Sequence, residues 1–252
     1  MDIKAVKNIE TDCLAARSPK QPVRTIVCLG DSITYGHGVA SNRQQDAWPF
    51  VLQRLLNNCL ANGADPTDTV SGCNIADPAD CRSAFKVLNF GINGATALKN
   101  TPESYEASGL LDKALASGAD TFILMLGSND TKERYWDPQQ YEEDLESIVC
   151  RILGTVPAHE GVRSTEQSKP QLFLMLPPAA FEDENGETAY GVSDEAIRLG
   201  VIPAIKRTAQ KHSLPVIDLY SITAGHPELY LEGVHPNRAG NLAIAERIFS
   251  EL

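Results

Sequence analysis

Short apolar runs alternate with segments of helical periodicity along most of the chain. The runs are rich in β-branched residues and leucine, and most stop at glycine or proline, as buried strands do. Five strands are predicted, at residues 23–29, 85–90, 121–126, 171–176 and 215–219. Helices are predicted between and after them, at residues 47–60, 105–116, 138–153, 194–212 and 237–252. This alternation predicts a three-layer α/β/α sandwich around a central five-stranded parallel sheet.

Two stretches lie outside this alternation. Residues 1–22 are interpreted as an irregular N-terminal lead-in, and residues 62–84, which are rich in Asn, Asp, Pro and Gly, as a surface insertion. No internal repeat divides the remainder. We therefore expect a single domain over residues 23–252, with a kink or break at Pro203 in the fourth predicted helix.

Three of the predicted strands end in polar turns that contain glycine. These turns lie at residues 30–34, 91–96 and 127–131. In an open parallel sheet, ligands bind beyond the carboxyl ends of the strands. We therefore expect the three turns to form one functional site.

The composition restricts the classes of function. The chain has 252 residues, of which 42% are hydrophobic and 22% charged, as in a soluble globular protein. A formal net charge of −11 argues against binding to nucleic acids or anionic membranes, and no apolar run approaches the roughly 20 residues of a membrane span. The N-terminus has no apolar signal-peptide core, which predicts a cytoplasmic protein; export with removal of a signal is the open alternative. The oligomeric state is not indicated.

The cysteines do not have the spacing of a metal site. None of the six belongs to a CxxC pair or to a zinc-like Cys/His pattern. Cys28, Cys59 and Cys150 are interpreted as buried small hydrophobic residues, and a disulfide between Cys73 and Cys81 would close the insertion in an oxidising compartment. Motifs for nucleotide phosphates, dinucleotides and HExxH metal sites are also absent. No metal or organic cofactor is predicted.

Candidate catalytic residues lie in the first of these turns and in a fourth turn, at residues 232–237. Ser32 directly follows the first strand, where its hydroxyl is either a nucleophile or a helix N-cap. His235 precedes the last helix, and Glu232 stands three residues upstream. This spacing lets the carboxylate reach Nδ1 and leaves Nε2 available as a base. The other histidines are interpreted as solvated surface residues (His37, His159, His212) or as structural or cleft-lining (His226).

The two remaining turns offer hydrogen-bond donors. Residues 89–94, Asn-Phe-Gly-Ile-Asn-Gly, present backbone N–H groups or form a tight turn that needs positive φ. Residues 127–130, Gly-Ser-Asn-Asp, present two polar side chains or form an Asx turn.

Taken in order, the four turns resemble the SGNH (GDSL-type) hydrolase family. The matching stretches are LGDSIT, NFGING, LGSND and EGVHPN, and they extend from residue 29 to residue 237. The resemblance implies a flavodoxin-like fold in which Ser32 attacks an ester carbonyl and His235 takes its proton. It also implies an oxyanion hole made by the backbone N–H groups of Ser32 and Gly91 and the side-chain amide of Asn129.

Further segments refine the implied function. GSNDTKERYW, LPVIDLYS and GHPELY are similar to bacterial carbohydrate O-acetylesterases of that family. The implied substrate is a short-chain acyl ester, acetyl above all, of a small molecule or oligosaccharide. A lysophospholipase, arylesterase or thioesterase with the same catalytic residues is the alternative within the enzyme class. A flavodoxin-like binding module without turnover is the alternative outside it.

One catalytic position departs from the family pattern. The family usually has Asp three residues before the histidine, where this chain has Glu232. We expect Glu232 to orient His235 as the third member of a triad. A Ser–His dyad, with a backbone carbonyl on the imidazole, is the alternative.

Four other residues near the turns have less defined roles. Tyr35 and Trp136 are candidate contacts for a sugar ring, or else packing residues. Asp31 is expected to brace the turn of Ser32, and Asp130 to cap the following segment or hold the loop of Asn129.

Overall fold

A computed structural model describes residues 23–39, 42–62, 85–154 and 169–252. The predicted lead-in at 1–22 and residues 63–84 of the predicted insertion lie outside the described residues. So do Cys73, Cys81 and His159.

Five parallel strands form one sheet. They are β1 (Arg24–Gly30), β2 (Phe85–Gly91), β3 (Thr121–Met125), β4 (Gln171–Leu176) and β5 (Val216–Asp218). Their spatial order is β2-β1-β3-β4-β5, and Gly30 lies opposite both Gly91 and Met125. The carboxyl ends of β1, β2 and β3 therefore meet at one edge of the sheet, as expected from the glycine-containing turns that follow these strands.

Helices cover both faces of the sheet. They are α1 (Ser32–Tyr35), α2 (Arg43–Asp46), α3 (Trp48–Asn62), α4 (Leu110–Leu115), α5 (Pro138–Leu153), α6 (Asp194–Ala196), α7 (Ile202–His212), α8 (Tyr220–Thr223) and α9 (Arg238–Phe249). The apolar faces of α4, α5 and α7 are buried against one side, and those of α3 and α9 against the other. The predicted α/β/α sandwich with a five-stranded parallel sheet is thus confirmed. None of the described helices is both apolar enough and long enough to cross a membrane.

The capping residues explain why α5 begins and ends where the sequence predicts. Asp137 accepts hydrogen bonds from the N–H groups of Gln139 and Gln140, and Pro138 occupies the first turn. Gly154 ends the helix in the left-handed conformation. Asn237 caps α9 in the same way as Asp137 caps α5.

Two predicted helices differ from the structure. The helix predicted at 105–116 is only α4, because Gly109 has a φ of 69° and the buried Tyr105 hydroxyl is held by the Phe90 carbonyl at 2.7 Å. The helix predicted at 194–212, with a kink or break at Pro203, is interrupted by a π-helical turn over Ile197–Val201. This turn widens the chain just before Pro203, whose ring cannot continue a regular i→i−4 ladder.

Candidate active site

Ser32 begins α1 directly after β1. The Asp31 carboxylate caps this helix by accepting from the Ile33 N–H at 2.9 Å, so the aspartate braces the turn as expected. The Ser32 side chain is buried, and its Oγ lies 2.9 Å from Nε2 of His235. A short helix capped by its preceding residue therefore fixes the hydroxyl at the carboxyl edge of the sheet.

His235 lies in a tight turn before α9. An isolated antiparallel bridge joins Tyr230 to Pro236, and Gly233 has a φ of 86°. A Cβ at Gly233 would lie 2.3 Å from the Phe181 carbonyl oxygen, so only glycine fits at this position. The turn folds the Glu232 carboxylate back onto the imidazole, where Oε1 contacts Nδ1 of His235.

The surroundings of His235 favour the neutral imidazole. Burial lowers its pKa below the usual 6.5; the Glu232 carboxylate raises it, and His37 and Lys132 lower it further. With Nδ1 facing a carboxylate, the proton of the neutral ring is placed on Nδ1 and the lone pair on Nε2, facing Ser32. The geometry is that of a hydroxyl poised to lose its proton to a base.

The structure corrects the assignment of Gly91 to the oxyanion hole. The Gly91 N–H donates to Oδ1 of Asn89 at 2.9 Å. A Cβ at Gly91 would lie 2.2 Å from the Tyr35 backbone nitrogen. The absence of a side chain thus lets α1 pack on β2, and the N–H is already engaged.

Gly94, and not Gly91, lies next to the catalytic serine. It lines the cavity beside Ser32, together with Asn129, and has a φ of 80°. Among the described residues, none accepts a hydrogen bond from the Gly94 N–H. The sequence motif contains both glycines, but it does not show which one faces the serine.

Asn129 lies in a single 3₁₀ turn after β3. Its Nδ2 donates to the Ala95 carbonyl at 3.2 Å, which fixes the amide beside the cavity. The neighbouring Asp130 accepts from the Leu98 N–H at 2.9 Å and so ties this turn to the loop that follows β2. Burial, helped by the charge of Asp31, raises the pKa of Asp130 to about 7; burial also raises that of Asp31 to about 6.

The cavity beside Ser32 is small. Its volume is about 100 Å³, whereas pockets for drug-sized ligands have roughly 300–1,000 Å³. His37, Lys132 and Tyr190 are among the residues that line the cavity. His37 is exposed, as expected from the sequence, but it also lies beside the catalytic histidine, because the ring centroids of His37 and His235 are 4.4 Å apart. The Lys132 ammonium has no carboxylate within ion-pair distance among the described residues.

Tyr35 and Trp136 have other neighbours. The Arg43 guanidinium lies 4.1 Å from the Tyr35 ring centroid. Trp136 packs on Gly200 in the π-helical turn, where a Cβ would lie 2.3 Å from the indole. Neither Tyr35 nor Trp136 is among the residues that line the cavity. The aromatic residue that does line it is Tyr190, which belongs to none of the sequence motifs.

At the carboxyl edge of the parallel sheet, a buried serine contacts a histidine, and the histidine contacts a carboxylate. This arrangement defines the serine hydrolase class. The family model of GDSL-like lipases/acylhydrolases matches residues 26–248, and the chain belongs to that family. The resemblance inferred from the four turns is thereby confirmed.

The relatives include carbohydrate esterases. An acetylxylan esterase of Xylanibacter ruminicola is 25% identical over 239 residues, which are 92% of this chain and 43% of that protein. The chain thus spans less than half the length of this curated relative. An aryl esterase of M. smegmatis has the same fold, with a TM-score of 0.64 at 19% identity over 91% of this chain and 98% of its own. A carbohydrate acetylesterase from Sinorhizobium meliloti gives 0.62 at 20% identity over 90% and 97%.

Proposed function

We propose that the protein is a serine esterase that removes acetyl groups from carbohydrates through an acyl-Ser32 intermediate. The observation that carries this proposal is the 2.9 Å contact between Ser32 Oγ and His235 Nε2. A free serine is a weak nucleophile and needs an adjacent base. The lowered pKa of His235 keeps that base neutral at pH 7.

The reaction follows from these positions. Ser32 Oγ bonds to the ester carbonyl carbon as His235 Nε2 takes the hydroxyl proton. The oxyanion that forms accepts hydrogen bonds from the N–H groups of Ser32 and Gly94 and from the Asn129 amide. His235 then protonates the leaving alkoxide as the C–O bond breaks. Water repeats the sequence on the acyl enzyme, which releases the acid and the free serine.

The donors act mainly on the transition state. Negative charge on the carbonyl oxygen is greatest there, so neutral donors held in place stabilise it more than the substrate. The first N–H groups of a helix have no intrahelical partner, which leaves the Ser32 N–H available at the start of α1. Glu232 acts on His235 instead, because its carboxylate stabilises the imidazolium that forms when His235 takes the Ser32 proton.

The small cavity and the names of relatives support an acetyl ester. A cavity of about 100 Å³ is well matched to a short acyl group. Relatives of this chain include an acetylxylan esterase and a carbohydrate acetylesterase. The cavity beside Ser32 has apolar side chains, those of Ile33, Val192 and Val234, that can contact an acetyl methyl group, but its volume of about 100 Å³ is too small for a long acyl chain.

Hydrolysis of p-nitrophenyl acetate, butyrate and octanoate tests the proposal, followed by acetylated xylo-oligosaccharides. We expect acetate to be the best of the three, and Ser32→Ala to lower kcat by about 10⁶, as loss of a serine nucleophile does elsewhere. Ser221→Ala is the matched control, because this exposed serine bonds to Asp218 and lies outside the cavity. A fluorophosphonate should label the wild type and the control only. Octanoate preference would indicate a lipid or thioester substrate, and no labelling would favour a binding module.

A further inference from the structure

A second depression adjoins the catalytic cavity. It has a volume of about 540 Å³ and lies between the segment 181–190 and the turn that carries His235. Tyr190 lines both this groove and the catalytic cavity. The two spaces therefore meet at one aromatic side chain.

The groove has walls that are fastened to the catalytic turn. The Phe181 N–H donates to the Gly233 carbonyl at 2.9 Å, and the rings of Phe181 and Tyr230 are 5.1 Å apart. The segment 181–190, which contains Phe181, is closed into a hairpin by an antiparallel bridge between Glu182 and Thr188. A group bound in the groove would consequently hold a fixed position relative to His235.

Tyr190 has an unusual conformation. Its φ is 60°, which residues with a Cβ rarely adopt, and the residue is 59% exposed. The ring edge faces His235, with centroids 5.1 Å apart. Such outliers persist where the surroundings hold them, and they cluster at ligand sites.

The charge of the groove has one sign. Its lining includes four carboxylates, those of Glu182, Asp183, Glu187 and Glu232, and neither Lys nor Arg. Asp183 already accepts from the Asn185 and Glu187 N–H groups, which lower its pKa. Carboxylates beside an aromatic ring can accept hydrogen bonds from hydroxyl groups, but they repel anions.

We infer that this groove binds the sugar chain of the substrate, with one ring against Tyr190, and that it selects neutral over anionic saccharides. The inference rests on the proposed esterase function and specifies its alcohol. The acetyl group would enter the small cavity, while neighbouring sugar units extend along the groove. An acidic sugar would bring its carboxylate towards like charges.

Two substrate series test this inference. The first compares acetylated xylose with acetylated xylotriose, and the second compares acetylated methyl glucoside with acetylated methyl glucuronide at low salt. We expect kcat/KM to rise about tenfold or more with chain length, mainly through KM, since extra contacts bind the ground state and the transition state alike. We expect a similar preference for the neutral glucoside, which high salt should reduce.

Variants separate the ring from the charges. Tyr190→Ala should abolish the gain with chain length, and Tyr190→Phe, which keeps the ring, should retain it. The double variant Glu182→Gln/Glu187→Gln should reduce the difference in kcat/KM between the neutral glucoside and the anionic glucuronide. Glu184→Gln is the control, because Glu184 lies on the same hairpin but does not line the groove.

The outcomes distinguish this inference from the esterase function itself. The wild type could hydrolyse p-nitrophenyl acetate but show the same kcat/KM for acetylated xylose and acetylated xylotriose. That result would contradict sugar binding in the groove and would leave the proposed esterase function unaffected. A preference for the glucuronide would overturn the charge selectivity and point to Lys132. Failure to hydrolyse every ester would remove both proposals.

Discussion

Replacement of Glu232 by Gln tests the least expected part of the site. Gln has nearly the same shape as Glu but no charge, so the turn can fold while the carboxylate on Nδ1 is lost. If Glu232 completes a triad, the imidazolium that forms in the transition state loses its counter-ion. If the enzyme works as a Ser–His dyad, kcat should change little.

The structure sets the size of the expected loss. Two unit charges about 4 Å apart interact by about 4 kcal/mol at an effective dielectric constant near 20. The Glu232 side chain is 34% exposed, and screening by solvent reduces this figure by about half. About 2 kcal/mol corresponds to a factor of about 30 in rate. Loss of the orientation of the ring adds to it, so kcat should fall by about 10²–10³.

The pH profile gives a second readout. The Glu232 carboxylate raises the pKa of His235 against the effect of burial. Its removal should lower that pKa further, so the acid limb of kcat/KM should move to lower pH in Glu232→Gln. A general loss of folding would not move the limb in this direction.

The assay is p-nitrophenyl acetate hydrolysis from pH 4.5 to 9, with thermal melting as the check on folding. Glu228→Gln is the matched control, because Glu228 pairs with the exposed His226 at 2.9 Å in the preceding segment and should be neutral in rate. A fall in kcat of less than about threefold, with the acid limb unmoved, would refute the triad and establish a dyad.

Three further predictions concern the donors and the buried acid. Asn129→Ala should lower kcat by about 10²–10³, the usual effect of losing one oxyanion donor, with little change in KM; an unchanged kcat would exclude the amide from the oxyanion hole. Gly91→Ala should lower the Tm more than Gly94→Ala does, because its added Cβ meets backbone of α1 at 2.2 Å; Gly94→Ala should lower kcat more, because alanine is strained at a φ of 80° and relaxation moves the N–H beside Ser32, and the reverse pattern would restore Gly91 as the donor. Burial raises the pKa of Asp130 from 3.8 to about 7, so the folded state keeps this proton longer than the unfolded chain, and the stability it contributes is lost as pH rises from 4 to 7. The Tm of Asp130→Asn relative to wild type should therefore increase over that range, and a constant difference would contradict the buried acid.

Periodic patterns predicted the architecture because the sheet is buried on both faces. β3 and β4 are nearly continuous apolar runs, and such runs between amphipathic segments leave few alternative folds. The ends of α5 were also readable, since Asp137 and Gly154 act through local backbone geometry alone. These features depend on neighbours within a few residues.

Long-range contacts explain where the predictions failed. The helix expected at 105–116 loses its first turn because Tyr105 is anchored to Phe90, and sequence periodicity does not register such a contact. Gly91 and Gly94 are equivalent in composition, and only the packing of α1 on β2 separates them. Cys28 is buried as expected, whereas Cys150 is only half-buried and lies 4.0 Å from His212.

The aromatic residue that lines the catalytic cavity was the hardest to predict because it comes from a segment without a motif. Aromatic residues near the serine or the asparagine in sequence, such as Tyr35 and Trp136, are used for packing. Tyr190 comes from the connection after β4 and reaches the site only because Phe181 is bonded to the turn of His235. Proximity in sequence to a catalytic residue is therefore a poor guide to which aromatic side chains line the cavity.

The charges around His235 are arranged along the direction in which the proposed reaction separates charge. Lys132 and the Asn129 amide line the cavity, where the carbonyl oxygen becomes negative. Glu232 lies on the other side, against Nδ1 of the ring that becomes positive. Because these groups are held in place before the substrate binds, they need not reorganise as charge develops. Glu232 also lines the groove that we propose for sugars, so the two proposals together give this carboxylate two roles, to stabilise the imidazolium and to add to the charge that would exclude anionic sugars. Glu232→Gln should accordingly lower kcat and narrow the gap between neutral and anionic substrates, two effects that a carboxylate confined to the triad would not combine.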